Sequence, residues 1–155
     1  MYFAGKTLIH NGRTIVGMST LKVTRNEDGS ISHAFEDEPI LAEGDVLVNV
    51  SHSSLNYKDA MALDGNKGVM RINPLVPGID VVGTVAESND ERLPEGALVA
   101  AFGDGLGEFR HGGYTTKQRV NANATLVVPE RFTAADAAAI GTAGYTAAIL
   151  SIIHI

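Results

Sequence analysis

Turn signals built on glycine and proline recur roughly every 8–15 residues through most of the chain, too close together for a helix-rich fold. They include Asp28-Gly29, Glu43-Gly44-Asp45, Pro77-Gly78 and Pro94-Glu95-Gly96, and between them lie short, β-branched, mostly apolar runs. Leu21 to Phe35 alternates about Glu27-Asp28-Gly29-Ser30, where Asp-Gly supplies the positive φ of a tight hairpin. Val46 to Ser51, Val76 to Ala86, Ala97 to Phe102, Tyr114 to Val120 and Ala124 to Val128 read as further strands. Tyr57 to Leu63 predicts one short helix. Thr133, an N-cap residue with Asp136 three positions on, predicts a second over Ala134 to Ala139, which Gly141 and Gly144 interrupt. The expected fold is mainly β, a sandwich or partly open β-barrel with a few short helices. Alternating βαβ units are missing from the pattern, so a Rossmann domain is expected to be absent.

With 155 residues, 45% of them hydrophobic, the chain suits a single domain with a sizeable core. Its formal charge is -6, and the 12 basic side chains are scattered, which argues against nucleic acid and anionic membrane as partners. The absence of cysteine excludes disulfides, thiolate nucleophiles and thiolate-bound zinc, and fits a cytoplasmic location. The start of the chain lacks a signal-peptide core, and no run is expected to approach the ~20 apolar residues of a membrane span.

The histidines stand at 10, 33, 52, 111 and 154 with no H-x-x-x-H pair, so no metal site is expected. Gly103-Asp104-Gly105-Leu106-Gly107 has the spacing G-x-G-x-G without a following helix, and reads as a flexible surface loop rather than a phosphate cradle. Tyr57 is the best candidate to donate a hydrogen bond to a developing oxyanion, and Asn56 beside it can donate through its amide. A tyrosine in such a segment also serves as packing. Lys58 either pairs with an anionic group of a ligand or is a solvated charge. Asp59 is read as structural, accepting backbone N–H groups near the helix start. Arg71 is an anion partner or a plain surface cation. Gly141-Thr142-Ala143-Gly144 either lets a flat ligand approach the backbone or kinks an alanine-rich core helix.

Three segments carry a resemblance: Ser53-Ser54-Leu55-Asn56-Tyr57-Lys58-Asp59-Ala60, Pro77-Gly78-Ile79-Asp80-Val81-Val82-Gly83-Thr84-Val85 and Ile140-Gly141-Thr142-Ala143-Gly144-Tyr145-Thr146-Ala147. Together they closely resemble the catalytic half of the zinc-free medium-chain reductases, most of all the quinone oxidoreductase and acrylyl-CoA reductase (YhdH/YhfP-like) branch. The resemblance implies a GroES-like catalytic domain and, in full-length members, hydride transfer from NADPH to an enoyl thioester or a quinone. It assigns Tyr57 and Asn56 to polarising the substrate oxygen. Gly141, Thr142 and Lys58 fall on the cofactor side, with Thr142 facing the nicotinamide. Arg71 and His111, the latter in an H-G-G turn, fall on the substrate side. Zinc-dependent relatives place a cysteine at Asn56 and Gly-His-Glu at Gly78-Ile79-Asp80, so this chain lacks those zinc ligands.

The resemblance also implies an NADPH-binding strand and glycine-rich turn beyond Ile155. The chain is thus expected to be inactive alone and to bind no cofactor tightly, unless a nucleotide domain completes it in trans. Residues 1–20 form an extension in which Ala4-Gly5-Lys6-Thr7 and Gly12-Arg13-Thr14-Ile15-Val16 look like the family's final strand moved to the front. Residues 21–146 are the GroES-like domain, and 147–155 an apolar tail. Because that tail is apolar on nearly every face, a homo-oligomer joined through it is expected. The rival reading is a non-catalytic GroES-like binding or assembly module that self-associates.

Overall fold

A computed structural model describes residues 7–10, 13–16 and 19–153. In it the turn signals separate strands β1 (Thr7–His10), β2 (Arg13–Val16), β3 (Thr20–Arg25), β4 (Ile31–Glu36) and β5 (Val46–His52). Helix α1 (Tyr57–Leu63) follows, then β6 (Asp80–Ser88), β7 (Leu98–Phe102), β8 (Lys117–Val120), β9 (Thr125–Val127) and helix α2 (Ala134–Ile153). The fold is mainly β. β1–β2 and β3–β4 are antiparallel hairpins, and the other five strands form one antiparallel sheet in the order β8-β5-β6-β7-β9. The outer strands β8 and β9 do not pair with each other, so this sheet is open rather than closed into a barrel. The proposed relocated strand lies partly outside the described residues; within them, β1 pairs with β2.

Side chains that alternate along a strand point to opposite faces. Val46, Val48 and Val50 of β5, Val81 and Val85 of β6, and Val99 and Ala101 of β7 accordingly meet on one side of the sheet, together with Leu93, Leu106 and Val120. On the other side, Val82 and Ala100 join Val128 and Ala137 and Ala138 of α2. A third cluster packs α1 through Ala62 against Val23 of β3 and Val69, Met70 and Leu75. The backbone of Val23 exchanges hydrogen bonds with Leu75 at 2.8 and 2.9 Å, which anchors the β3–β4 hairpin over α1.

Four expectations need correction. The run from Val76 begins its ladder only at Asp80: Pro77 has no N–H to give and Gly78 sits at φ 103, so Val76 to Gly78 instead accept bonds from the backbone of Gly112, Gly113 and Tyr114. The second helix is not short. Thr133 and Asp136 form the expected cap, with the Thr133 Oγ1 accepting from Asp136 N at 3.1 Å, but helix continues past Gly144 to Ile153 and only Gly141 (φ 47, ψ -163) breaks it. The segment from Gly103 to Gly107 is no mere surface loop, because Gly105, Leu106 and Gly107 are buried and Leu106 belongs to the core. Finally, Ala134–Ile152 is by length and composition apolar enough to cross a membrane, although Gly141 divides it and its first turns pack on the sheet.

Gly83 of β6 shows how tightly the central strands approach. A Cβ there would fall 2.0 Å from the Asn49 carbonyl oxygen, whereas one at Gly96 (φ 81) would meet nothing within 4 Å. Gly83→Ala is therefore expected to cost about 3 kcal/mol through overpacking. Gly96→Ala should cost about 1–2 kcal/mol through backbone strain alone. Urea unfolding of the two variants checks the ranking, and equal losses would reject the close-packing argument.

Candidate active site

Asp80 opens β6 at the point where three segments converge, and its carboxylate is fully buried. Among the described residues no cation pairs with it; neutral donors satisfy it instead. Oδ1 accepts from the backbone N–H of Thr142 at 3.1 Å and from its hydroxyl at 2.5 Å. Oδ2 accepts from the Asn56 amide at 3.0 Å and from the Ser54 hydroxyl. The Ser53 hydroxyl closes the ring by donating to the Asp80 carbonyl at 2.7 Å. Gly141 makes this possible, since a Cβ there would stand 2.6 Å from Asp80 Oδ2 and 2.9 Å from Ser54 Oγ. The break in α2 is thus where its backbone dips onto the carboxylate.

A second buried carboxylate holds the start of α1. Asp59 Oδ1 accepts from Gly78 N and Ile79 N, both at 3.0 Å, and Oδ2 from Asn56 N at 2.8 Å. Burial raises the pKa of Asp59 above the ordinary carboxylate value, against the opposing pull of these backbone donors. The Tyr114 hydroxyl donates to the Ser54 carbonyl at 3.2 Å, and its phenol is pushed up by burial first and then by the Asp59 carboxylate. Asp59 thereby fixes the α1 entry to the Pro77-Gly78-Ile79 turn, the structural role expected of it.

The structure brings Asn56 and Thr142 together on Asp80, with Gly141 beside them. It also engages the Asn56 amide, which reaches Ser54 Oγ at 3.3 Å as well as Asp80. Tyr57, the first residue of α1, is 83% exposed, and its hydroxyl makes no hydrogen bond among the described residues. Lys58 forms an ion pair of 2.9 Å with Glu108, and Arg71 donates its backbone N–H to the Glu108 carbonyl at 2.9 Å while its side chain is exposed. His111 accepts from Val76 N through Nδ1 at 3.1 Å, and burial lowers its pKa, which favours the neutral ring. Asp80, Ser54 and Tyr114 were not singled out by sequence reasoning. Asp80 carried a signal, its place in Pro77-Gly78-Ile79-Asp80 where zinc-dependent relatives hold a metal ligand; Tyr114 carried none. Among the described residues no cluster of three metal-ligating side chains occurs.

Beyond Gly141, an apolar groove of about 250 Å³ runs between the sheet, at Ala100, Phe102, Leu126 and Val128, and α2, at Ile140, Tyr145 and Ala148. Residues 42–144 match the model of the alcohol dehydrogenase GroES-like domain.

The chain belongs to the alcohol dehydrogenase GroES-like domain family.

Within it, the probable acrylyl-CoA reductase AcuI of Escherichia coli (strain K12) is 46% identical over 111 residues, which are 72% of this chain and 34% of that protein. The acrylyl-CoA reductase AcuI of Ruegeria pomeroyi is 38% identical over 132 residues, 83% of this chain and 40% of that protein. The crystal structure of E. coli K-12 YhdH with bound NADPH superposes with a TM-score of 0.80 at 38% identity, covering 86% of this chain and 42% of that one. Bacillus subtilis YhfP with NAD bound gives 0.78 at 34% identity, covering 85% and 40%. This GroES-like chain thus spans 34% to 40% of the length of its curated relatives.

Asp80→Asn keeps the shape of the side chain but must turn an NH₂ toward either Thr142 or the Asn56 and Ser54 donors. The expected loss is about 2–3 kcal/mol, that of unmade hydrogen bonds to a charged group. Chemical denaturation checks it; a loss below about 0.5 kcal/mol, the range of an uninvolved surface change, would remove Asp80 as the organising group.

Proposed function

We propose that this domain is the substrate-facing half of a cytoplasmic, NADPH-dependent reductase acting on the activated C=C of an enoyl-CoA thioester, such as acrylyl-CoA, or on a quinone. The observation that carries the reading is the convergence of Asn56, Ser54 and Thr142 on one buried carboxylate, with the exposed Tyr57 next to Asn56 in the chain. The similarity to reductases and to a structure with bound NADPH supports it.

NADPH, when bound, supplies the hydride. Tyr57 donates from its free hydroxyl to the substrate oxygen on which charge develops, the role an oxyanion-stabilising donor performs. Asn56, with its amide on Asp80 and Ser54, fixes the N-cap of α1 and so the position of Tyr57. Thr142 and Gly141 present the opposite wall to the nicotinamide, held there by Asp80. Lys58 and Arg71 serve anionic groups of the ligands, and His111 lines the substrate side. Among the described residues this wall fits the nicotinamide, whereas Gly105 and Gly107 form a packed turn, with Gly107 N given to Arg110 O, and offer no pyrophosphate cradle. Activity therefore requires a second wall, since holding both reactants in attack geometry supplies much of such a rate.

A chimera tests the reading. This chain replaces the matching region of the E. coli acrylyl-CoA reductase relative, and NADPH oxidation is followed with acrylyl-CoA and with a small quinone. Turnover with either substrate is expected, and Tyr57→Phe in the folded chimera should lower kcat by roughly tenfold to a hundredfold. A folded chimera without turnover rejects the reductase reading; an unchanged kcat in the variant reduces Tyr57 to packing.

A second reading has its own observation. Tyr145, Ile149, Leu150 and Ile152 of α2 are exposed, and no charge interrupts α2 after Asp136. We propose that two copies associate through this face, in keeping with the tendency of large apolar patches to mark interfaces. Sedimentation velocity should show concentration-dependent association that Leu150→Asp abolishes; an unchanged profile would exclude the face.

A further inference from the structure

A second concavity lies away from the Asp80 carboxylate, lined by Ala42, Glu43, Ile72, Phe109, Arg110 and His111, with a volume of about 200 Å³. Drug-sized ligands occupy roughly 300 Å³ or more, so this space suits a single ring system. One wall is built for that purpose. Phe109 is 57% exposed, yet its ring is seated on Gly105, where a Cβ would fall 2.2 Å from it. The turn that carries the ring is tight, with Glu108 N, Phe109 N and Arg110 N all donating to the Gly105 carbonyl at 3.0 to 3.1 Å. Leu106 pins that turn in the core. An aromatic ring displayed by so fixed a turn is a stacking platform rather than a stray surface residue.

The polar groups around it differ in what they have left to give. Arg110 is engaged by Asn121 and the Glu43 carbonyl and lies 3.6 Å from Asp104, so it adds little charge. The Glu43 carboxyl disfavours an anion inside. His111 accepts from Val76 through Nδ1, which leaves the proton of the neutral ring on Nε2, an N–H without an acceptor among the described residues. Outside, Arg71 adjoins Ile72 in the chain and is tied by its backbone to Glu108, the neighbour of Phe109; its guanidinium is exposed and makes no hydrogen bond or ion pair among the described residues. Lys58 reaches the same spot through Glu108.

From this arrangement we infer that the pocket takes an adenine ring, stacked on Phe109 against Ile72 and accepting a hydrogen bond from His111, with a phosphate of the same nucleotide held at the rim by Arg71. The shared chemistry, a phosphorylated adenosine, occurs both in CoA thioesters and in NADPH. The inference rests on the reductase reading for its choice of ligand, but not for its geometry.

The probes are adenosine 3′,5′-bisphosphate, for the CoA end, and adenosine 2′,5′-bisphosphate, for the NADPH end, titrated into the full chain by calorimetry and by NMR. Saturable binding of at least one is expected, with Phe109→Ala and Arg71→Ala each weakening it about tenfold, the scale of a lost base stack or charged hydrogen bond. Both residues are exposed, so their loss leaves the fold intact, which circular dichroism verifies; Phe35→Ala, on β4, should change nothing. Tighter binding of the 3′,5′ isomer assigns the pocket to CoA and of the 2′,5′ isomer to the cofactor, and either order supports the site. No binding of either probe, or binding indifferent to Phe109 and Arg71, overturns it. The probes carry nothing reducible, so binding together with an inactive chimera would remove the reductase reading and spare the pocket.

Discussion

The buried Asp80 carboxylate has no cationic partner among the described residues, and much of the geometry around it exists to satisfy it. An unpaired charge in a low-dielectric interior is tolerated only when hydrogen bonds replace its lost hydration. Here the donors come from two places far apart in sequence: Ser54 and Asn56 before α1, and Thr142 within α2. The charge therefore acts as a distance constraint. Gly141 has to be glycine for the third donor to reach, and Gly113 likewise lies against the Asp80 carbonyl, where a Cβ would fall 2.2 Å away. Asp59 applies the same logic one turn earlier, gathering Asn56, Gly78 and Ile79 around its own buried carboxylate. Two carboxylates thus order the residues that the family resemblance assigns to chemistry.

Most of the architecture was legible because local signals and long-range packing agree. Asp28-Gly29 set the β3–β4 hairpin, α1 spans the residues its pattern marked, and Thr133 caps α2 through Asp136. The failures have definite causes. A β-branched run does not disclose that Pro77 and Gly78 will leave the main sheet to bond with Gly112 to Tyr114, because that pairing is non-local. Gly103 to Gly107 looks like loop material by composition, and only its packing shows Leu106 carried into the core. Gly144 was expected to interrupt a helix, yet a single glycine costs only about 1 kcal/mol there and did not.

The site was legible in its members and not in its wiring. Asn56, Tyr57, Gly141 and Thr142 stand out by motif, but no spacing rule says that Asp80 joins two of them while leaving Tyr57 in solvent. Lys58 and Arg71, two isolated cations in the sequence, meet the two ends of one residue, Glu108. Tyr114 gave no warning at all, since a tyrosine at the start of a strand-like run looks the same whether its hydroxyl reaches Ser54 or water.

The break at Gly141 also divides α2 into parts of unequal standing. Its first turns are capped and bury Ala137 and Ala138 on the sheet, while the turns past Tyr145 leave most of their side chains in solvent. A helical stretch of that length is marginal in water without tertiary contacts. Its amide protons should then exchange at rates set by local fraying rather than by global unfolding. Whatever covers this stretch would be selecting its helical form from a fluctuating ensemble, and its affinity would carry the entropic cost of that ordering.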